Sequence, residues 1–329
     1  MTFERNGLLM LGLAALLVPL AVHDQYLIHL GVMVLFYAVL ATSFNLVTGY
    51  VGEFSLGHTA FLGIGAYTAA ILSTRYGLPM WCTVPLAGLV SMLAGLMIGA
   101  ITLRLQGPFF VIVTLAFSEA LRLIADNWVA LTNGPMGIAG VTPPVWIAHL
   151  DNVHATQAFY YIMLGIAAVT VYFAYRFVYS SAGRAAVTVR ESRYVAQSIG
   201  IWPFAMAMQA FVLGATLAGV AGGFYAHYIS FVGSDLFGFA FMATMIIMVL
   251  VGGKGTLLGP LVGALLVTVL QEYLREAQEL RLTLFGIFVI LIVLFLPRGL
   301  MGFVAARRAS RKTARDDLAT RKTLHGGAR

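Results

Sequence analysis

Long apolar segments separated by short polar ones recur along almost the whole chain. A helix needs roughly 20 apolar residues to cross the ~30 Å hydrocarbon layer, and only helices or closed barrels satisfy their backbone there. Because the segments are too long for barrel strands, they predict an all-α, polytopic bundle of about ten transmembrane helices. The predicted spans lie near residues 8–22, 27–47, 56–72, 80–101, 108–125, 157–178, 205–227, 239–251, 258–272 and 282–297. The first, third and ninth are among those shorter than the norm, which is typical of broken or re-entrant helices.

The composition excludes a soluble globular protein. Hydrophobic residues make up 60% of the 329 residues and charged residues only 10%, against about 25% charged in an ordinary soluble domain. No polar interval between Leu8 and Leu296 is long enough for a soluble domain. We therefore predict one transmembrane domain over residues 1–304. Residues 305–329 are basic and lack apolar periodicity, so we expect a disordered tail or one that lies against anionic headgroups.

The positive charges indicate the topology. A net charge of +7 is compatible with nucleic-acid binding, but the basic residues collect in a few loops and at the C-terminus. Positive-inside topology explains this clustering more simply, so we expect no nucleic-acid partner. Ten spans with a cytoplasmic N-terminus place all but four of the 20 lysines and arginines in the cytoplasm; the four are Arg75, Arg122, Arg275 and Arg281. We therefore predict that both termini are cytoplasmic.

Two connections between predicted spans are long. Residues 126–156 combine turn formers with Trp146 and predict an ordered loop outside the cell. Residues 179–204 would lie in the cytoplasm. Ser181 is a candidate N-cap and Gly200 a candidate stop, so this segment predicts one short helix of moderate polarity.

Glycines and polar residues interrupt two apolar segments near residue 50. The interrupting residues are Gly49, Gly52, Glu53, Ser55 and His58. A broken helix at membrane depth is tolerated only when protein or a water-filled cavity covers it, and such breaks mark binding paths in transporters. These five residues are therefore candidates for the transport pathway. The alternative is an ordinary cytoplasmic turn followed by a tightly packed span.

Other features of the spans indicate packing. Glu119 and Arg122 lie at i and i+3 in the fifth span, and we predict a structural ion pair within the membrane. Small-residue repeats, which let helix backbones approach closely, occur as glycine pairs at 95 and 99, 219 and 223, and 259 and 263.

Catalytic motifs are missing from the sequence. The stretch closest to a phosphate-binding loop is residues 252–256, in which Lys254 and Thr256 are separated by a glycine. Metalloprotease, dithiol, serine-hydrolase and dinucleotide motifs are also missing. We expect no enzymatic activity, cofactor or metal, so any ATP used for transport must be hydrolysed by another polypeptide.

Four separated blocks make the sequence resemble the LivM-like permeases of branched-chain and hydrophobic amino acid ABC importers, over nearly the whole chain. They are T-G-Y, S-L-G-H and G-I-G-A-Y at 48–50, 55–58 and 63–67; L-R-L-Q-G-P and T-L-A-F at 103–108 and 114–117; G-R, R-E and I-G-I at 183–184, 190–191 and 199–201; and G-G, G-T-L and G-P at 252–253, 255–257 and 259–260.

The resemblance implies a multi-pass subunit of the bacterial inner membrane that pairs with a LivH-like permease. It also implies two cytoplasmic ATP-binding subunits and a periplasmic solute-binding protein. Residues 179–204 would then be the segment that couples to the ATPases, with Arg184, Arg190, Glu191 and Gly200 as its candidate residues. Similar permeases also handle urea, amides and aromatic compounds. Glu53 stands where similar sequences lead us to expect glutamine, which leaves the solute open.

Two other classes of function compete with the ABC permease. In an ion-coupled secondary transporter, Glu53 and Glu119 would be proton sites, and the isolated protein would take up solute with a gradient. A membrane-embedded enzyme would need clustered His, Asp or Glu side chains across spans, and the sequence shows no such cluster.

Overall fold

The computed structural model describes residues 2–21, 24–275, 281–295 and 299–303. The predicted tail, 305–329, lies outside these residues. Each of the ten predicted spans overlaps a helix of the described residues. In chain order the α-helices are α1 Thr2–Ala21, α2 Gln25–Asn45, α3 Thr59–Tyr76, α4 Met80–Thr102, α5 Pro108–Asn127, α6 Val129–Thr132, α7 Val145–Ala148, α8 Asn152–Val178, α9 Ser181–Glu191, α10 Arg193–Ser198, α11 Pro203–Ile229, α12 Phe239–Gly252, α13 Leu258–Tyr273 and α14 Arg281–Phe295.

Helix length and apolarity support a multi-pass membrane protein. Within the described residues, α2 with its extension to Val51, α4, α5, α8 and α11 are long and apolar enough to cross a bilayer. Shorter apolar helices are Gly7–Leu20 within α1, α12 and α13. The all-α class is therefore as predicted. The number of ten spans and the cytoplasmic location of both termini stay predictions.

Local sequence sets where several of these helices begin and end. The Asp24 side chain caps α2 by accepting a hydrogen bond of 2.9 Å from the Tyr26 backbone N–H. Pro108 and Pro203 occupy the first turns of α5 and α11, where a missing N–H costs nothing. Gly77 ends α3 at a φ of +64°, a left-handed conformation that glycine adopts readily.

Helices α3, α4 and α11 form a tightly packed group in which small residues allow close approach. Gly219 and Gly223 of α11 pack on α4 around Ala87, and Gly95 of α4 packs on Ala215. The glycine pair at 259 and 263 likewise packs on α12. The three glycine repeats therefore lie at helix contacts, as predicted.

Helix α2 forms a second group with α12 and α13, and it also packs on α8 and α11. Its inner face carries fully buried apolar residues, including Ile28, Val32 and Phe36. Phe36 contacts the ring of Tyr225 on α11. α2 thus lies between the first group and α12 and α13.

The predicted external loop is ordered and contains short elements. Between α5 and α8 it holds α6, a 3-10 turn over Gly134–Met136, strand β1 over Ile138–Ala139 and α7. β1 pairs antiparallel with strand β2, Phe231–Val232, which follows α11; a second 3-10 turn, Ser234–Phe237, leads into α12. The pairing was not predicted, because two-residue strands leave no periodic pattern in a sequence.

Segment 179–204 is two helices, which corrects the prediction of one. Ser180, and not Ser181, caps α9 by accepting from the Gly183 N–H at 3.2 Å. Ser192 then interrupts the helix with an extended backbone and caps α10 through the Val195 N–H. A serine that caps a new helix favours a corner at that point. Gly200 follows α10 at a φ of +79°, as expected for a stop.

Gly222→Val should destabilise the bundle. A Cβ at Gly222 would overlap the Leu62 carbonyl and lie 2.9 Å from the Ala66 backbone nitrogen on α3, and overpacking of this kind costs about 1–3 kcal/mol. Thermal unfolding of the purified chain in detergent measures the effect. Gly165→Val on α8 is the matched control, because a Cβ there meets open space. Equal melting temperatures for the two variants would contradict the packing described for α3 and α11.

Candidate functional site: the broken end of α2

The predicted break after α2 is a π-helical turn followed by a non-helical connection. The turn covers Leu46–Val51, and single π turns inside helices occur frequently at functional sites. Gly52 ends it at a φ of +86°, and its N–H donates to the Val47 carbonyl at 3.1 Å. Residues 53–58 then lead to α3 without forming a helix. The left-handed φ explains why glycine suits position 52.

Glu53 forms an ion pair with Arg193, the first residue of α10. The two side chains are only 11% and 24% exposed. Removing one partner of a buried pair leaves an uncompensated charge, at a cost of about 3–5 kcal/mol. Glu53 therefore ties the broken end of α2 to segment 179–204.

Arg190, in the last turn of α9, lies across the π turn. Its Nη1 donates to the Gly49 carbonyl at 2.7 Å, and its Nη2 donates to the Glu191 carboxylate at 2.7 Å. A Cβ at Gly52 would lie 2.7 Å from Arg190 Cγ. Gly52 thus supplies both the left-handed backbone and the space that Arg190 occupies.

Asn45, the last residue of α2, binds the loop between α12 and α13. Its Nδ2 donates to the Thr256 carbonyl, and its Oδ1 accepts from the Gly255 N–H, both at 2.9 Å. The Thr256 hydroxyl bridges within the loop, since it donates to the Gly253 carbonyl and accepts from the Gly259 N–H. The amide therefore satisfies two backbone groups that would otherwise lack partners.

Three segments far apart in sequence meet at these contacts, which we call the arginine junction. Gly49 lies at its centre: a Cβ there would overlap the Asn45 amide and lie 2.5 Å from the Gly255 nitrogen. Only glycine fits between these groups without displacing them. The junction consists of Asn45, Gly49, Glu53, Arg190, Arg193, Gly255 and Thr256.

His58 is fully buried behind the break. Its Nε2 lies 2.9 Å from Ser43 Oγ. Because the Ser43 hydroxyl donates to the Leu40 carbonyl at 2.7 Å, the imidazole donates to Ser43 through Nε2. Nδ1 has no hydrogen-bond partner within the described residues, so the neutral ring leaves one acceptor unused.

Ser55 and its neighbours lie against α5. Ser55 is fully buried, and the Leu56 N–H donates to the Thr114 hydroxyl at 3.1 Å. Gly57 lies so close to Thr114 that a Cβ would overlap its carbonyl. The connection after the π turn is therefore held by protein.

The five predicted pathway residues thus fall in two places. Gly49, Gly52 and Glu53 contact segment 179–204, whereas Ser55 and His58 are enclosed beside α5 and α2. An apolar groove of about 960 Å³ lies elsewhere, between α4, α8 and α11, and none of the five residues lines it. Contact between these residues and a solute stays a prediction.

Glu119 and Arg122 lie in contact on α5. Arg122 Nε donates to both carboxylate oxygens of Glu119 at 3.0 Å, and its Nη1 donates to Asp126 at 3.2 Å. Asp126 was not part of the predicted pair. With 51% and 34% of the Glu119 and Arg122 side chains exposed, the geometry fits a structural ion pair on the helix surface.

The remaining candidate coupling residues lie around segment 179–204. Arg184 Nη1 donates to the Tyr179 carbonyl at 3.1 Å, and the Glu191 side chain is 69% exposed beside Arg190. The Tyr179 hydroxyl donates to the Glu4 carboxylate of α1 at 2.6 Å. Burial, and then this hydrogen bond, raises the pKa of Tyr179 above its ordinary value. The hydroxyl therefore stays protonated and holds α1 to the segment.

Asn45, Arg193 and Thr256 were not predicted as site residues. Their partners lie 140 to 211 positions away along the chain, so no local pattern could reveal them. The one signal in the sequence was an asparagine near the end of an apolar span. A buried side-chain amide is unfavourable unless it has a hydrogen-bonding partner.

A multi-pass helical bundle with a broken span is the architecture of a membrane transport protein. Residues 26–296 match the family described as branched-chain amino acid transport system / permease component. The chain belongs to this family. The prediction of a LivM-like permease, made from four motif blocks, is confirmed.

Several named permeases are similar in sequence to this chain over most of their length. The high-affinity branched-chain amino acid transport system permease protein LivM of Salmonella typhimurium is 31% identical over 296 residues, covering 83% of this chain and 69% of that protein. LivM of Escherichia coli K12 is 30% identical, covering 88% and 74%. The E. coli permease protein LivH is 25% identical, covering 81% and 91%. No solved structure matches the chain.

Asn45→Ala should loosen the loop between α12 and α13. The change leaves the Gly255 N–H and the Thr256 carbonyl without their side-chain partner, at about 1–3 kcal/mol for each unsatisfied group. Hydrogen exchange of the purified chain should show faster exchange in a peptide that covers residues 253–257. Asn127→Ala is the control, because its amide bonds the Leu123 carbonyl on an exposed surface. Unchanged exchange at 253–257 in Asn45→Ala would show that Asn45 does not hold the loop.

Proposed function

We propose that this chain is the membrane-spanning permease subunit of an ABC importer for branched-chain or related hydrophobic amino acids. The observation that carries the proposal is the family match over residues 26–296, and the relatives named as permeases of high-affinity branched-chain amino acid systems support the solute class. The chain works in the bacterial inner membrane. A LivH-like permease is its partner, and the similarity to both LivM and LivH fits a pair of related subunits.

The proposed topology has ten spans and both termini in the cytoplasm. Three connections that this topology places in the cytoplasm, residues 48–55, 179–204 and 252–257, meet at the arginine junction. Their meeting supports the order of the spans between them, because the topology has four spans between the first two connections and two between the last two, and so places all three on one side of the membrane.

Energy comes from two separate ATP-binding subunits, and a periplasmic solute-binding protein delivers the solute. Segment 179–204 is the docking site for an ATPase. Its inner side, with Ala186, Val189 and Ala196, is buried against the bundle. Its outer side exposes large apolar side chains outside the long apolar helices: Tyr194 at 84%, Ile199 at 64% and Trp202 at 69%. Exposed apolar clusters of this kind mark interaction sites.

The structure disfavours ion coupling through the two candidate carboxylates. Glu53 is paired with Arg193, and Glu119 is paired with Arg122. A carboxylate that releases and takes up protons during transport must lose such a partner in each cycle, whereas the ABC mechanism needs no titrating group in the chain.

Reconstitution tests the proposed function. Proteoliposomes that hold this chain, its permease partner and both ATPases should take up radiolabelled leucine when ATP is enclosed and the binding protein is added. The same vesicles without ATPases should show no uptake, because the chain carries no nucleotide site. Uptake driven by a proton or sodium gradient without ATPases would contradict the proposal and favour a secondary transporter.

Tyr194→Ala and Ile199→Ala should each weaken ATPase recruitment by about tenfold or more, the usual effect of truncating a central apolar contact. Co-purification of the ATPase subunits with the tagged permease pair measures recruitment. Tyr273→Ala is the control, since Tyr273 is also 79% exposed but ends α13, away from the segment. Full recruitment by both segment variants would place the docking surface elsewhere.

A further inference from the structure

We propose that the arginine junction transmits the movement of segment 179–204 to the membrane helices, with Glu53, Arg190 and Arg193 as positioning residues. The inference rests on the proposed function and deepens it. It assigns Glu53 to coupling within the chain, in place of the solute contact expected from the sequence.

The two arginines bind residues on either side of Gly52, where α2 breaks. Arg190 lies in the last turn of α9 and Arg193 begins α10, so they flank the corner at Ser192. Arg190 holds the Gly49 carbonyl before Gly52, and Arg193 holds the Glu53 carboxylate after it. Both contacts use ionised donors, which form the stronger hydrogen bonds in proteins. The planar guanidinium also fixes direction, which a lysine ammonium would not. The corner of the segment therefore cannot shift without moving the break or losing both contacts.

The hydrogen bonds of the junction also connect α2 to the loop between α12 and α13. Asn45 bonds the loop between α12 and α13, and a Cβ on Gly255 would lie 2.7 Å from Arg190 Nη1. At the opposite end of α2, the Tyr26 hydroxyl donates to Glu272 near the end of α13. Helices α2 and α13 are thus joined at both ends, and α12 packs on both of them, so we treat the three as one group.

The segment joins this group to the other one. Its side chains hold α2 and the loop before α13, whereas its backbone continues after Gly200 into α11 at Pro203. α11 packs closely with α3 and α4. A displacement of the segment that carries α2 with it therefore moves the α2, α12 and α13 group against α11, on which α2 packs. Movements of packed helices as groups are a recurrent form of conformational switching.

A double-mutant cycle separates coupling from solute contact. If Glu53 works only through Arg193, then Glu53→Gln, Arg193→Gln and the double variant should each reduce leucine uptake per ATP hydrolysed by about tenfold, within the range of coupling between sites. The double variant should be no worse than the poorer single variant. ATP hydrolysis and ATPase co-purification should stay near wild type in Glu53→Gln, because Glu53 lies outside segment 179–204. Arg176→Gln, an exposed arginine near the end of α8, is the matched control and should transport normally.

Other outcomes overturn the proposal. Losses that multiply in the double variant would mean that Glu53 acts independently of Arg193, as a solute contact would. Normal uptake in both single variants would remove the junction from transport.

A second measurement does not depend on the identity of the solute. Hydrogen exchange of the purified complex should rise to the same extent in a peptide covering residues 46–57 for both single variants and the double variant. If wild-type vesicles fail to transport leucine while this exchange pattern appears, the proposed solute is wrong and the junction stands. Unchanged exchange in both single variants overturns the junction whatever the solute.

Discussion

A membrane helix that is interrupted within the bundle must have its freed backbone groups bonded by protein, because lipid offers no donors or acceptors. The break after α2 meets this constraint at each side. Arg190 bonds the Gly49 carbonyl, Thr48 bonds the Glu53 carbonyl, and Thr114 bonds the Leu56 N–H. The polar residues that interrupt the apolar sequence are thus part of the fold, and segment 179–204 is bound where the helix breaks.

Close backbone contact gives this arrangement its rigidity. Gly49 and Gly52 leave room for the Asn45 amide and the Arg190 side chain, and Gly222 lets α11 touch α3. Packing between small residues and hydrogen bonds between helices hold a bundle together where lipid weakens the hydrophobic effect. Two helix groups that pack on each other through α2 and α11 and are also linked by one polar segment can transmit a displacement, and the chain needs such a device if its energy is supplied by other subunits.

The long helices could be predicted from the sequence, but the arginine junction could not. The lengths of the apolar segments predicted the positions of ten helices, and the glycine repeats predicted close contacts between helices. The β1 and β2 pair and the corner at Ser192 were missed, because two-residue strands and a single capping serine carry little local signal. The Glu53 and Arg193 contact joins residues 140 positions apart, and Asn45 reaches the Gly255 N–H across 210. Such pairings depend on how the helices are arranged, which periodicity does not encode. Glu53 was recognised as unusual from the sequence, but its partner Arg193 could be identified only from the structure.

Pulsed electron paramagnetic resonance on the assembled transporter tests most directly whether the segment and the α2 group move together. Spin labels can be placed at three exposed positions, Arg104, Arg184 and Lys254, after Cys82, the single cysteine, is replaced by serine. Between the nucleotide-free and ATP-trapped states, the distance from Arg184 to Lys254 should stay constant, while the distance from Lys254 to Arg104 should change. A constant distance from Lys254 to Arg104 together with a changed distance from Arg184 to Lys254 would show that the segment moves without the helices, and would contradict the account.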